Sequence, residues 1–373
     1  MLNPRRIVFA TSSAFLASGI VAGCTAAHHL STAPPEPAGL ELRWQQPIPT
    51  PEGPESVVDA PWLAVGAHAA FVAGPAVGLM SFDLTGDGVL LWSSSHTSSR
   101  PPVAIGDVVV TAADTGLAAI RQDRNEVAWR AGLDKAPDGM FAVDTRLAVV
   151  TGQELRMFDS RGSQTWQAPL GSPPATAVVF DSGVVFVGLD DGSLVAIDDA
   201  TGAVQWRFPL EAKPESLGAA GPRVYLSASN GHLYAFDKAG SAKPEWDYAK
   251  IRAIGAPVVD ARSVYFTLLN NILYAFTPGG GSERWHLSLP NRPVSGPMRI
   301  GESVAVALTD GRVIEVQSDG HVRRPAAAPN LPASLTLQSA AATPDRTRVI
   351  TVTTAQDQKW ILMAWGPPKG TRP

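Results

Sequence analysis

Short apolar runs, each closed by a turn pair, repeat along most of this chain. The cleanest stretch reads Val184–Gly188, then Leu194–Asp198, with Asp191-Gly192 between them. Both runs are rich in β-branched residues, and the Asp-Gly pair supplies the positive φ that a tight hairpin needs. Thr201-Gly202 makes the next turn, and Val204–Leu210 alternates around Trp206. The pattern predicts three short strands joined by two tight turns. Its middle strand recurs as Leu79-Met-Ser-Phe-Asp, Leu155-Arg-Met-Phe-Asp, Leu233-Tyr-Ala-Phe-Asp and Leu273-Tyr-Ala-Phe-Thr, and in weaker form as Val313-Ile-Glu-Val-Gln. The preceding turn recurs as Thr115-Gly116, Asn230-Gly231, Asn270-Asn271 and Asp310-Gly311. Upstream apolar stretches such as Ala175–Val179 and Pro257-Val-Val supply a fourth strand.

A tryptophan marks each copy. Trp92, Trp129, Trp166, Trp206, Trp246 and Trp285 follow one another at intervals of 37, 37, 40, 40 and 39 residues. Gly88, Asn125, Gly162, Gly202 and Gly281 stand four residues ahead of five of them. Four antiparallel strands per period of this length predict the blades of a β-propeller. A β-sandwich gives no reason for one Trp per period, and a parallel β-helix needs a shorter one. The Trp side chains are expected to fill the gaps between neighbouring blades. After Trp285 the turn returns as Asp319-Gly320, but the tryptophan position, taken as Arg324, has lost its ring. Before Trp92 stands Trp44, with outer-strand character, and the chain ends in three strands, Leu335–Ala340, Arg348–Thr353 and Trp360–Trp365. The expectation is an eight-bladed β-propeller over 40–366, closed by pairing the N-terminal strand with the last blade, with a C-terminal tail over 367–373. Closure hides the sheet edge that otherwise invites association. Seven blades is the alternative, if the stretch after Gly320 is not a blade.

The first residues read differently. Arg5-Arg6 precedes the apolar stretch Ile7–Val21, which is shorter than the ~20 residues a membrane span needs, and Val21-Ala-Gly-Cys24 follows. Residues 1–23 are therefore expected to be a signal peptide. The run ending at Cys24 resembles a bacterial lipobox, which implies lipid attachment to that thiol, cleavage before it and a membrane anchor. Thr25 follows where an Asp often signals inner-membrane retention, which leans the expectation towards the outer membrane, facing the periplasm; in a single-membrane source it becomes the outer face of the plasma membrane. Residues 24–39 form a Pro-rich tether; Cys24 to Glu41 extended at ~3.1 Å per residue reaches roughly 50 Å. Cys24 is the sole cysteine, so no disulfide forms within the chain. The formal net charge is −4, and removing 1–23 takes away two arginines and no acid, leaving −6. That balance argues against a nucleic-acid partner.

Candidate chemistry is sparse. His28, His29, His68, His96, His232, His286 and His321 stand at no metal-ligand spacing from one another or from Cys24. Asp190-Asp191 and Asp198-Asp199 resemble paired carboxylates, but their repeat positions make them turn residues. No nucleophile elbow, phosphate loop or dinucleotide fingerprint occurs. The expectation is no catalytic, cofactor or metal residue, hence no enzyme. One basic concentration, Arg292 to Arg299, with Arg323-Arg324 later, lies near blade junctions, where loops carry partner contacts.

Residues 192–206 and 231–240 resemble the repeat of pyrroloquinoline-quinone-type propellers, and the likeness covers about 40–365. With the lipobox and tether, the chain looks like the BamB family of envelope lipoproteins. That resemblance implies a non-catalytic scaffold docking to the barrel-inserting subunit of the outer-membrane assembly machinery. The family's Leu-x-Leu-Arg-Gly-x-Ser-x-Pro-like junction is missing here, Pro293–Pro297 being a faint echo, so partner-binding residues are unknown. Quinone-dependent dehydrogenases of the same superfamily use an adjacent cysteine pair that one cysteine does not provide. The alternative readings are a lipoprotein that binds a ligand in the propeller channel and, further off, an enzyme of that dehydrogenase type.

Overall fold

The computed structural model describes residues 38–49, 60–75, 77–240, 242–249, 251–324, 331, 334–355 and 359–368. The chain divides into two units, 1–37 and 38–373, of which the second holds every described strand. The expected signal peptide, Cys24 and most of the tether lie outside the described residues, as do residues 369–373 of the tail.

Eight four-stranded antiparallel sheets make up an eight-bladed propeller. Blade 1 is Trp62–Val65, Ala69–Gly74, Gly78–Asp83 and Leu90–Ser94, running from inner to outer strand. The next six follow the same meander: blade 2 runs from Val103 to Gly132, blade 3 from Gly139 to Pro169, blade 4 from Val179 to Pro209, blade 5 from Pro214 to Ala249, blade 6 from Val258 to Ser288 and blade 7 from Met298 to Arg323. The strands of blade 4 are Val179–Asp181, Val184–Gly188, Ser193–Asp198 and Val204–Pro209. Blade 8 takes Thr336–Ala342, Val349–Thr354 and Trp360–Gly366 from the C-terminal end and Glu41–Pro47 from the start of the ring. Glu41 pairs with Gly366 and Pro47 with Ile361, so the ring closes through its own termini.

The core is divided among the junctions. Buried apolar residues fall into eight clusters, each shared by two neighbouring blades. In blade 6, Leu273 and Ala275 face blade 7 while Tyr274 and Phe276 face blade 5. Alternate side chains point to opposite faces of a strand, and here both faces meet a blade. The second and third strands therefore read as continuous apolar runs. Burying one such large side chain contributes about 1.5–3 kcal/mol.

The tryptophans latch the junctions. In six blades the indole N–H donates to a carbonyl one or two residues past the third strand of the following blade. These bonds run from Trp92 to Gln122, Trp129 to Ser160, Trp166 to Asp199, Trp206 to Lys238, Trp246 to Pro278 and Trp285 to Ser318, at 2.7–3.1 Å. Glycines of that turn lie against the rings of Trp129, Trp166, Trp206, Trp246 and Trp285. Gly202 shows why that turn needs glycine: φ is +74°, and a Cβ there would stand 2.8 Å from Cε3 of Trp166. Trp246 lacked a glycine four residues ahead because its turn is longer; Gly240 (φ +91°) takes the role and lies under Trp206.

One register differs from the sequence reading. The outer strand of blade 7 is only Val322–Arg323, and Glu315 pairs with Arg323. Arg323, not Arg324, holds the tryptophan position. Glu315 stands where blades 2, 4, 5 and 6 have alanine opposite the indole. Its carboxylate is 6% exposed and accepts from Nη1 of Arg323 at 2.9 Å. An ion pair has replaced a ring against a methyl.

Candidate partner-binding rim

An up-and-down blade sends its loops to two ends. One end carries the first-to-second and third-to-fourth hairpins. The other carries the second-to-third turn and the connection to the next blade, and is called the linker end below. Connections enter their inner strands here through single bridges, Pro174 to Leu189, Ala253 to Leu268 and Pro293 to Leu308.

Several charges on the linker end are paired with one another. Lys213 pairs with Asp190 at 2.5 Å, Arg156 with Asp134 at 2.7 Å, and Arg312 with Asp310 at 2.5 Å. Arg252 reaches Glu215 with both Nε and Nη2, joining the entry of blade 6 to blade 5. Burial pushes the Asp310 carboxyl up, but hydrogen bonds from Arg312 outweigh it and hold the group below its ordinary value.

The paired carboxylates serve turns and junctions. Oδ1 of Asp191 accepts the amide and hydroxyl of Ser193 at 2.9 and 2.6 Å. Oδ1 of Asp198 does the same for Thr201 at 2.9 and 2.7 Å. Those hydroxyl bonds, then the amide bonds, hold both carboxyls below the usual range. Asp199 is 8% exposed and pairs at 2.5 Å with Arg146 of the preceding blade. Sequence spacing missed that pair, and also its neighbour: Lys238, one position further round, pairs with Asp181 of blade 4. Both follow the third strand of their blades and reach the first hairpin of the blade before.

The basic stretch separates instead of forming a patch. Arg292 is exposed at the linker end, where its carbonyl accepts the Thr309 amide at 2.9 Å. Arg299 lies at the far end of the inner strand and donates to the carbonyls of Val259 and Gly301, each at 3.1 Å. Arg323 is held by Glu315. Histidines remain apart: Nδ1 of His232 shares a hydrogen bond with Asp247 at 2.6 Å, and His286 with Glu283 at 2.7 Å. Among the described residues no three His, Cys, Asp or Glu side chains converge on a metal-sized site.

A concavity on the linker end lies between blades 3 and 4. Inner strands of neighbouring blades pack together around the ring, and least closely at this junction. The resulting cleft, of about 460 Å³, is lined by Asp138, Phe141, Val150, Pro173, Pro174 and Thr176. Asp138 accepts the Gly152 amide at 2.6 Å and faces Arg100 at 3.9 Å. The cleft suits an apolar side chain presented beside a polar lip. Its Thr176 hydroxyl accepts the Gly188 amide at 3.0 Å and donates to the Ala177 carbonyl at 2.9 Å.

The family description "Outer membrane protein assembly factor BamB" matches residues 79–287 and, in an overlapping register, 151–322, more than half of the chain. The chain belongs to the BamB family. A protein of Bordetella pertussis named outer membrane protein assembly factor BamB is 29% identical over 276 residues, which is 68% of this chain and 71% of that protein. A Nitrosomonas eutropha protein of the same name is 29% identical over 154 residues, 40% of this chain and 36% of that protein. The crystal structure of BamB from Moraxella catarrhalis superposes with a TM-score of 0.65 at 17% identity, covering 90% of this chain and 99% of that one. A computationally designed protein, Ika8, reaches the same TM-score at 16% identity, covering 86% and 99%. A designed ring fits as well as a natural one, so these superpositions show the BamB-like architecture alone.

Proposed function

We propose that this chain is a non-catalytic scaffold of outer-membrane β-barrel assembly, anchored by lipid on Cys24 and facing the periplasm. On this reading it holds the barrel-inserting subunit against the linker end of the ring. Family membership supports the assembly role. The observation that carries the choice of surface is the largely apolar cleft between blades 3 and 4. Interfaces draw their energy from such small desolvated centres. Carboxylates that could do acid–base work are instead bound to turn amides, hydroxyls and neighbouring arginines.

The test is affinity capture of the barrel-inserting subunit from detergent-solubilised envelopes, using the tagged full chain. The native sequence retains that subunit. Ala175→Arg, which fills the cleft, lowers retention about tenfold, as loss of a central anchor does. Cys24→Ser moves the protein from the membrane to the soluble fraction while leaving capture intact. Failure of the native chain to retain the subunit, in a source that has one, sinks the scaffold reading; capture that ignores Ala175→Arg sinks the choice of cleft.

A further inference from the structure

Blades 4 to 7 build their linker end by one rule. In each, the residue that opens the second-to-third turn donates its amide to the carbonyl of the residue at the blade's entry. The bonds run from Asp190 to Pro173, Ser229 to Lys213, Leu269 to Arg252 and Thr309 to Arg292, at 2.8–3.0 Å. They make the four entry residues equivalent positions, and the four turn residues likewise. Three blades in succession therefore place a cation at the entry. Lys213 of blade 5 reaches back to Asp190, the turn residue of blade 4, at 2.5 Å. Arg252 of blade 6 has the uncharged Ser229 at that position and pairs instead with Glu215, two residues past the entry of blade 5. Arg292 of blade 7 finds neither. By the same equivalence the turn residue behind it is Leu269, and the counterpart of Glu215 is Ile254. Arg292 is exposed, and among the described residues no carboxylate pairs with its guanidinium.

The residues that replace the missing carboxylate are open to solvent. Leu269 is 41% exposed, and Ile251, which precedes the residue whose carbonyl holds the Leu269 amide, is 42% exposed. Among the described residues the other large apolar side chains this exposed are Val89, Leu90, Leu91, Val204 and Val322. All five stand where outer strands begin, at the opposite end of the ring. Exposed apolar surface on the linker end is thus concentrated beside the entry of blade 6. A single exposed Leu or Ile is ordinary surface. Here the apolar residues occupy the positions from which the two preceding blades supply an anion, so one substitution both bares a hydrophobic patch and frees a cation.

We propose that Arg292, Leu269 and Ile251 form a second protein-binding site on the linker end, and that it takes a segment presenting a carboxylate next to an apolar side chain. The carboxylate completes the pair that Lys213 and Arg252 make within the ring, and its two oxygens match the guanidinium fork. The apolar side chain covers Leu269 and Ile251, taking both from water. Charge decides which segments fit, and apolar contact holds them. The site lies three blade junctions round the ring from the cleft between blades 3 and 4, and it does not depend on what that cleft holds.

The test is selection of short displayed peptides on the tagged full chain in detergent, followed by binding of a synthetic copy of an enriched peptide, blocked at both ends. Enriched peptides are expected to carry Asp or Glu next to Leu, Ile or Phe. The synthetic copy binds Arg292→Gln about tenfold more weakly, as loss of a charge-assisted bond implies. Leu269→Asp rebuilds the arrangement of blade 4, so Arg292 is paired within the ring: peptide binding is abolished while the thermal midpoint stays or rises. Arg292→Glu turns the enriched charge from acid to base. Ala175→Arg, which fills the cleft between blades 3 and 4, leaves binding unchanged. Thermal melts confirm that each variant is folded. No enrichment, enriched peptides without an acid, or binding indifferent to Arg292→Gln overturns the proposal. Binding lost in Ala175→Arg hands the peptides to the cleft and overturns it too. So does a concentration-dependent mass of the intact chain that Leu269→Asp removes, since the patch then belongs to a second copy.

Discussion

Trp166 and Gly202 illustrate the smallest unit of this fold, an indole held by one hydrogen bond and pressed on a glycine in a left-handed turn. Two glycines separate the contributions. Gly183 has φ +83° and nothing within 4 Å of an added Cβ, so Gly183→Ala costs only left-handed strain, about 1 kcal/mol. Gly202→Ala carries similar strain and also displaces Trp166, whose bond and packing add about 1–2 kcal/mol more. Urea unfolding of the two variants measures the difference; equal losses mean that the latch contributes nothing. Turn carboxylates give a second expectation. Hydrogen bonds from Thr201 depress the Asp198 pKa, so its stabilisation is present above the ordinary carboxylate value, near 4, and lost as pH falls through the depressed one. Asp198→Asn should therefore flatten part of the acid limb of a stability-against-pH curve and leave neutral stability less sensitive to pH. Spacing alone exposed the Trp positions because a large ring recurs visibly. It hid Gly240, whose turn is longer.

Blade 7 shows how far an element tolerates loss of its latch. Its outer strand keeps two residues, and a Glu315–Arg323 pair fills the place of an alanine and a tryptophan. Glu315 is deeply buried, whereas Arg323 is partly open to solvent, and the pair spans a cross-strand register. Removing only the cation leaves a buried carboxylate unmatched, a change that costs about 3–5 kcal/mol at full burial and less beside solvent. Arg323→Ala is thus expected to destabilise more than Glu315→Ala. The double change Glu315→Ala with Arg323→Trp rebuilds the sister arrangement and should recover most of the loss, as judged by chemical denaturation. A double variant no better than Arg323→Ala would show that strand length, not side-chain chemistry, sets the stability of this blade. The Asp319-Gly320 turn made the blade visible from sequence, and its weak strand placed the missing ring one residue late. A two-residue strand offers no alternation from which to fix the register.

Across the whole ring, stability is distributed over eight junctions, and closure decides whether the last one exists. The strand Glu41–Pro47 supplies the fourth member of blade 8, and Trp44 and Ile48 bury themselves against blade 1. Ring closure was legible in sequence because the C-terminal end ran out of strands one short of a blade. The cleft between blades 3 and 4 was not, because it arises from loose inner-strand packing that no residue type announces. Deleting 38–47 leaves Trp360–Gly366 as an unpaired edge and uncovers the apolar face between blades 8 and 1. Unpaired edges recruit strands from other chains. The deleted protein is therefore expected to associate, giving a concentration-dependent mass in light scattering and an earlier, broader unfolding transition than the intact chain. Addition of a synthetic peptide spanning residues 38–49 should restore the monomer by refilling the edge, whereas the same peptide with Trp44→Ala should do so weakly. A deletion variant that remains monomeric, with an unchanged midpoint, would mean that the seven other junctions hold the ring without the strand that closes it.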